Sequence, residues 1–456
     1  MLSYNTEKEH VTSSQHISNS FNRELISIED ASRLIRSGDN VYVSGNAASP
    51  KAFLTTLAKR KNELMDVSVF HLLLMGKDPF DEDTKRENLR HVSFFVGAAD
   101  RKAIQLHTAD YIPVFLSEIP SLFYKNIIPL DVAYVMVSPP NEDGFVSLGV
   151  ECAASKAAIE KGKIVIAQIN RKMPFTYGES LVPISKLHYI VEHTESLCEL
   201  EKPEIGEIEQ KIAQIISPII EDGSTLQLGI GGIPNAIMSA LDGKKDLGVH
   251  TEMFSDGLME MILKGVITNK KKTVHPGVSI ATFILGSKEL YEFVNHNKEI
   301  KLLPTDGTNN PFLISQNDKM VSINSAIEID LGGQVCSDSI GTQIYSGFGG
   351  QLDFVRGASA SKDGKAIIAI PSMTKNGKYS RIVSTLKQGA GVVTTRADIH
   401  YVATEYGIVS LKGKSLRQRA ESLIAIAHPN VRHALQEWFQ KSNQSHQSKE
   451  ECNVIC

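Results

Sequence analysis

The sequence predicts an α/β protein made of two similar, open, largely parallel α/β domains. Three observations carry that expectation. Apolar runs of strand length, at 40–44, 67–75, 132–137, 163–168, 226–230, 279–285 and 365–370, alternate with stretches of helical periodicity. A punctuation pattern occurs twice: Gly38, Gly45 and Pro50 match Gly223, Gly229 and Pro234 at offsets of 185, 184 and 184. Between the two copies, near 195–207, the chain turns charged and carries Pro203, which suits a junction.

In order along the chain, residues 1–21 are polar and read as a loose tail. The first domain is expected over 22–200. Ser27 and Asp30 have capping-box spacing, so a helix starts here and stops at Gly38. A strand at 40–44, a small-residue turn at 45–50, a helix at 52–58 and a strand at 67–75 follow. Further strands are expected at 132–137, before the Ser138-Pro-Pro turn cluster, and at 163–168. The second domain, 208–440, repeats the plan: strand 226–230, the turn Gly229-Ile-Gly-Gly-Ile-Pro234, and a helix stopping near Gly243. A second strand over 247–254 then carries Glu252. Later strands are expected at 279–285 and 365–370, with the stretch 321–330 between them. A last helix over 428–440 closes the fold, and 441–456 reads as a disordered tail.

The bulk properties exclude several function classes. A net charge of −4 gives no support to nucleic-acid binding. No apolar run approaches the ~18–20 residues of a membrane helix. The N-terminus lacks the apolar stretch of a signal peptide. Five cysteines are scattered without a CxxC pair, and the Cys452-Asn-Val-Ile-Cys456 ending lacks prenylation-box spacing. A reducing, cytoplasmic setting is the expectation, with neither metal nor nucleic acid nor membrane as partner.

Glu252 is the candidate for chemistry. A glutamate in a short strand is ordinarily a solvated face residue, but Glu252 shares its face with His250 and follows a glycine-rich turn. Such a turn at a helix N-terminus presents backbone N–H groups and favours negative charge. It equally serves as a plain tight connection. Its glycine spacing is not that of a dinucleotide fingerprint, which disfavours an oxidoreductase. The cluster Gly347-Phe-Gly-Gly-Gln351 is a second backbone cradle. Lys375, Lys378 and Arg381 follow a strand end, where ligands of α/β sheets bind but where solvated charges are also common. Asp353 and Arg356 have the spacing to pair with each other. In the first half, Leu72-Leu-Leu74 stands where Glu252 stands in the second, so one half is expected to carry the chemistry and the other to supply a wall.

Taken together, Gly229-Ile-Gly-Gly-Ile-Pro-Asn235, His250-Thr-Glu-Met-Phe-Ser-Asp-Gly257, Asn324-Ser-Ala-Ile-Glu-Ile-Asp330 and Ser346-Gly-Phe-Gly-Gly-Gln-Leu-Asp-Phe-Val-Arg-Gly-Ala358 resemble the acetyl-CoA hydrolase/transferase family, with its 4-hydroxybutyrate or butyrate CoA-transferase branch nearest. The resemblance runs over about 22–435 and adds Thr374-Lys-Asn-Gly, His400-Tyr-Val-Ala-Thr-Glu-Tyr-Gly407, Ser138-Pro-Pro and Gly144-Phe-Val-Ser-Leu-Gly149. It implies that Glu252 attacks an acyl-CoA, giving an acyl-glutamyl anhydride and then a glutamyl-CoA thioester, which a second carboxylate discharges in ping-pong fashion. Backbone N–H groups of Gly229, Ile230, Gly231, Gly232 and Ile233 and of Gly349 and Gly350 are implied as oxyanion donors. Asn324, Ile327, Gly350 and Lys375 are implied to line the CoA site. Acyl-CoA and a short-chain carboxylate are then substrates, no cofactor is held permanently, and a homodimer or larger homo-oligomer is expected. Hydrolysis of the same thioester by water is the alternative, and a CoA-binding protein without turnover a further one. Tyr177 departs from the pattern, standing where a histidine is expected in a stretch (173–178) that should border the acyl pocket.

Overall fold

A computed structural model describes residues 23–80, 85–229 and 231–444. The expected tail at 1–21, the tail beyond 444, and Ile230 lie outside the described residues. The first helix, Ile28–Arg33, is capped as the sequence suggests, with the Ser27 side chain accepting the Asp30 N–H at 3.0 Å. The last, Pro429–Gln444, runs beyond the expected end at Gln440.

Each half is built on one sheet. In the first, the strand order is Glu24–Ile26, Tyr189–Glu192, Ile164–Ile169, Val132–Val137, Asn40–Val43, Val67–Leu72, Leu89–Phe95 and Asp110–Tyr111. Every pairing in it is parallel. The second sheet runs Gly248–Val249, Thr225–Leu228, Met320–Asn324, Lys365–Ala369, Tyr401–Thr404 and Gly407–Ser410, with only the last pairing antiparallel. The central strands read as unbroken apolar runs because helices cover both faces.

The repeat is visible as geometry. Asn40–Val43 lies between Val67–Leu72 and Val132–Val137, and Thr225–Leu228 lies in the same way between Gly248–Val249 and Met320–Asn324. Gly38 and Gly223, just before these strands, both take left-handed φ, +86° and +75°. At Gly45 a Cβ would fall 1.8 Å from the Leu72 carbonyl oxygen, so the first-half turn admits no side chain there.

Two expected strands are broken, and a third apolar stretch is divided in the same way. The 247–254 stretch pairs as Gly248–Val249 in the large sheet, then as Met253–Phe254 with Phe283–Ile284. Between them the chain changes partner: the His250 N–H donates to Leu226, and the next, Thr251, to Ile280. For the same reason 279–285 divides into Ser279–Ala281 and Phe283–Ile284, and 321–330 into Met320–Asn324 and Glu328–Asp330. The apolar pattern hides these breaks because the residues on either side of each, such as Val249 and Met253 or Ile323 and Ala326, stay buried.

The two halves share a continuous apolar core, which includes Tyr42 and Val135 from one and Leu226 and Ile237 from the other. Tyr177–Gly178, from the first half, pairs with Ile300–Leu302 of the second. Residues 193–206 carry no helix or strand; we propose this connection as the boundary between domains 22–200 and 208–440.

Candidate active site

Glu252 stands at the break between the two strand segments. Its carbonyl accepts from the N–H groups of Thr282 (2.9 Å) and Phe283 (3.2 Å), which fixes the backbone against the neighbouring segment 282–283. Its side chain is partly buried and turns into a cavity of about 270 Å³. Asn309 Nδ2 donates to Glu252 Oε2 at 3.0 Å, and the Gly350 backbone N–H donates to the same carboxylate. Gly350 also caps the helix Gln351–Ala360, so the carboxylate sits at the positive end of that helix. A Cβ on Gly350 would lie 2.1 Å from both Glu252 Oε2 and Asn309 Nδ2. Only glycine fits.

Burial pushes the Glu252 carboxyl up from its ordinary value to about 7, against the lowering pull of Asn309 and the Gly350 N–H. A carboxylate of that basicity is a stronger nucleophile than a solvated one and is still substantially ionised at neutral pH. His250, its companion on the strand, is a support. It donates from Nε2 to the Thr308 carbonyl at 2.7 Å, and burial, reinforced by the Lys272 charge, lowers it to about 3. It is neutral and holds the 308–309 turn that presents Asn309.

Both halves enclose the cavity. Leu72, Leu73, Phe95 and Leu116 come from the first, with Leu72 at the position matching Glu252, as expected of a wall. The glycine cluster at 346–350 lies against that wall. A Cβ on Gly347 would meet the Phe95 ring at 3.0 Å, and the Leu116 N–H donates to the Gly349 carbonyl at 3.1 Å. Gly347 therefore serves close packing, while Gly350 serves the site. Asp353, in the first turn of the helix behind it, accepts from the Ser117 N–H (3.2 Å) and Oγ (2.9 Å) across the halves. It does not pair with Arg356, which bonds Asp398 instead. Burial, with Glu252's charge among lesser causes, raises Asp353 to about 7.

The other sequence candidates divide. Gly229, Ile233, Asn324, Gly349 and Gly350 line the cavity with Glu252. Gly231 lines a small neighbouring recess, and Gly232 begins the helix Gly232–Ala240. Asn324 exchanges amide hydrogen bonds with Gln227 at 3.0 and 3.2 Å. Ile327 and Lys375 do not line the cavity, and Lys375 is exposed on a turn with Lys378. Arg381 donates to the Ala326 carbonyl. The 173–178 stretch does not border the cavity either: Phe175 stacks on His296, and Tyr177–Gly178 is held as an edge strand. Sequence reasoning missed Asn309, Ser117 and Asn46. Asn309-Asn-Pro311 carries only a turn signal. Among the described residues no group of three or more His, Cys, Asp or Glu is placed to hold a metal ion, and no helix is long and apolar enough to cross a membrane.

Two parallel α/β halves enclosing a carboxylate beside a glycine-capped helix define the class, and comparison with known proteins agrees. Residues 9–200 match the N-terminal domain model of acetyl-CoA hydrolase/transferase, and 286–439 match the C-terminal one. The chain belongs to the acetyl-CoA hydrolase/transferase family. It is an enzyme, a CoA-transferase that moves CoA between an acyl-CoA and a carboxylate. It is 46% identical, over 92% of its length and 98% of the relative's, to a 4-hydroxybutyrate coenzyme A transferase of Clostridium kluyveri. It is 46% identical, over 88% of its length and 84% of the relative's, to a succinyl-CoA:acetate/propanoyl-CoA:succinate CoA transferase of Fasciola hepatica. Among solved structures, a 4-hydroxybutyrate CoA-transferase of Porphyromonas gingivalis is 42% identical with a TM-score of 0.79, covering 93% of this chain and 99% of that one.

Proposed function

We propose that the chain exchanges CoA between a short-chain acyl-CoA, acetyl-CoA among them, and a carboxylate such as 4-hydroxybutyrate, butyrate or acetate, with Glu252 as nucleophile. The observation that carries this is the Glu252 carboxylate, raised to about 7 and fixed by Asn309 and Gly350 at the foot of a cavity walled by both halves. In the first step a Glu252 oxygen attacks the thioester carbon and the C–S bond breaks, giving the mixed anhydride and CoA thiolate. The thiolate then attacks the Glu252 carbonyl carbon, releasing the first acid and leaving a glutamyl-CoA thioester. The incoming carboxylate repeats these steps in reverse. The activated acyl bond is conserved throughout, so the exchange needs no nucleotide. Each tetrahedral oxyanion falls to donors of the Gly229–Ile233 turn and of Gly349 and Gly350, with the helix end adding positive potential. Asn324 and Ile327 are assigned to the CoA path, and Lys375, exposed beyond the cavity, to its outer end. A cytoplasmic homo-oligomer belongs to the same proposal and rests on the sequence.

The test is intact-protein mass after acetyl-CoA and then borohydride, which reduces the glutamyl thioester to an alcohol, about 14 Da lighter. The loss is expected on the peptide holding Glu252 and absent in Glu252→Gln. Turnover in wild type without that loss refutes the covalent route.

A further inference from the structure

One fully buried polar side chain on the cavity wall has no partner. Asn46 lines the cavity with Glu252, is fully buried, and both its Oδ1 and its Nδ2 lack any hydrogen bond. Its polar neighbours on the same wall are engaged: Gln227 with Asn324, Gln351 with Thr394, Ser346 with the Ser337 carbonyl, and Glu252 with Asn309. Buried polar groups in folded proteins are nearly always satisfied, so one that is not, and that belongs to the lining of a ligand cavity, points to a ligand as the partner.

The backbone explains part of this residue but not its side chain. Asn46 has φ +49°, the left-handed region, which asparagine tolerates better than most residues. Glycine meets that need better and would bury no unsatisfied amide. The backbone therefore does not account for the amide, and the first half's share of the wall is otherwise apolar: Leu72, Leu73, Phe95 and Leu116.

We infer that Asn46 recognises a hydroxyl at the far end of the acyl chain, so that this site selects an ω-hydroxy acid over the plain acid of equal length. The inference rests on the reading of the cavity as the acyl site of Glu252. A primary amide offers both a donor and an acceptor, and a hydroxyl is the small group that uses both. A second carboxylate fits less well, because it accepts only and no lysine or arginine lines the cavity among the described residues to balance its charge. A terminal methyl leaves the amide unsatisfied.

The experiment measures kcat/KM for 4-hydroxybutyrate and for butyrate with acetyl-CoA as donor, in wild type, Asn46→Gly and Asn46→Asp. Glycine removes the amide while keeping the left-handed backbone, and aspartate keeps the shape and the backbone preference while removing the N–H donor. Wild type is expected to favour the hydroxy acid by about tenfold or more, and both variants to cut that ratio by about tenfold, the scale of one buried hydrogen bond. Equal use of the two acids by wild type, or a ratio unmoved in a folded variant, overturns the assignment. Borohydride trapping in wild type separates the two levels. With the Glu252 adduct present, those results remove Asn46 alone; with no adduct and continued turnover, the glutamyl reading falls and this inference with it.

Discussion

Replacing Glu252 by glutamine should stabilise the protein while abolishing its activity, and only above a certain pH. The free carboxyl has an ordinary value of 4.5, and in the folded chain burial raises it to about 7. Below 4.5 both the folded and the unfolded states hold the proton, so the site costs nothing. As pH rises above 4.5 the unfolded chain ionises first and gains, so stability falls until the folded carboxyl also ionises near 7. At about 1.4 kcal/mol per pH unit the loss reaches about 3 kcal/mol, or about 2 once water in the open cavity is allowed for. Glutamine keeps the shape and can accept from Asn309 and Gly350, but never ionises. Removing the charge also relieves Asp353, which adds in the same direction. The assay is thermal unfolding of wild type and Glu252→Gln from pH 5 to pH 8.5. The gap should be about 1 °C at pH 5 and widen to about 2–3 °C in the variant's favour by pH 8. A gap that is independent of pH, or a variant less stable at pH 8, would refute the reasoning that burial strains this carboxylate.

Other outcomes follow from the same geometry. The rate of glutamyl formation from acyl-CoA should rise with pH through about 7 as Glu252 ionises, and a flat profile between pH 6 and 8 would exclude Glu252 as the titrating nucleophile. Asn309→Ala removes a donor to the ionised form, so the midpoint of that profile should move up by about one pH unit; an unmoved midpoint contradicts the Asn309 contact. Gly350→Ala places a methyl group 2.1 Å from Glu252 Oε2, and kcat should fall by about 100-fold or more with circular dichroism unchanged. Ser117→Ala removes the 2.9 Å bond to Asp353 between the halves and should cost about 1–2 kcal/mol at pH 8, less at pH 5 where Asp353 is protonated; equal loss at both would show that packing, not the charge, matters.

The sequence shows the architecture clearly because punctuation and apolar runs are local signals. Gly38, Gly223 and the runs at 40–44 and 132–137 each state their own conformation, and the 184-residue offset states the duplication. Glu252 and Gly350 were also legible, one as a carboxylate beside a glycine turn and the other within a glycine cluster. What escaped is what only three dimensions bring together. Asn309 is 57 residues from Glu252 and Ser117 is 236 from Asp353, and neither spacing has a period to betray it. The division of 247–254 escaped for a different reason: burial on either side of the break keeps the residue pattern of one continuous strand, while the hydrogen-bond partner changes beneath it. Lys375 and Tyr177 show the converse, positions placed by resemblance whose side chains lie away from the cavity lining.

The duplicated plan has a stoichiometric consequence. Two copies of the same strand–turn–helix unit would by symmetry carry two reactive groups, but Leu72 occupies in one copy the place that Glu252 holds in the other. The two copies have parted so that one supplies a wall and the other the carboxylate, and the cavity needs both. One mole of polypeptide should therefore take up one mole of CoA at full occupancy, whatever the number of chains in the assembly.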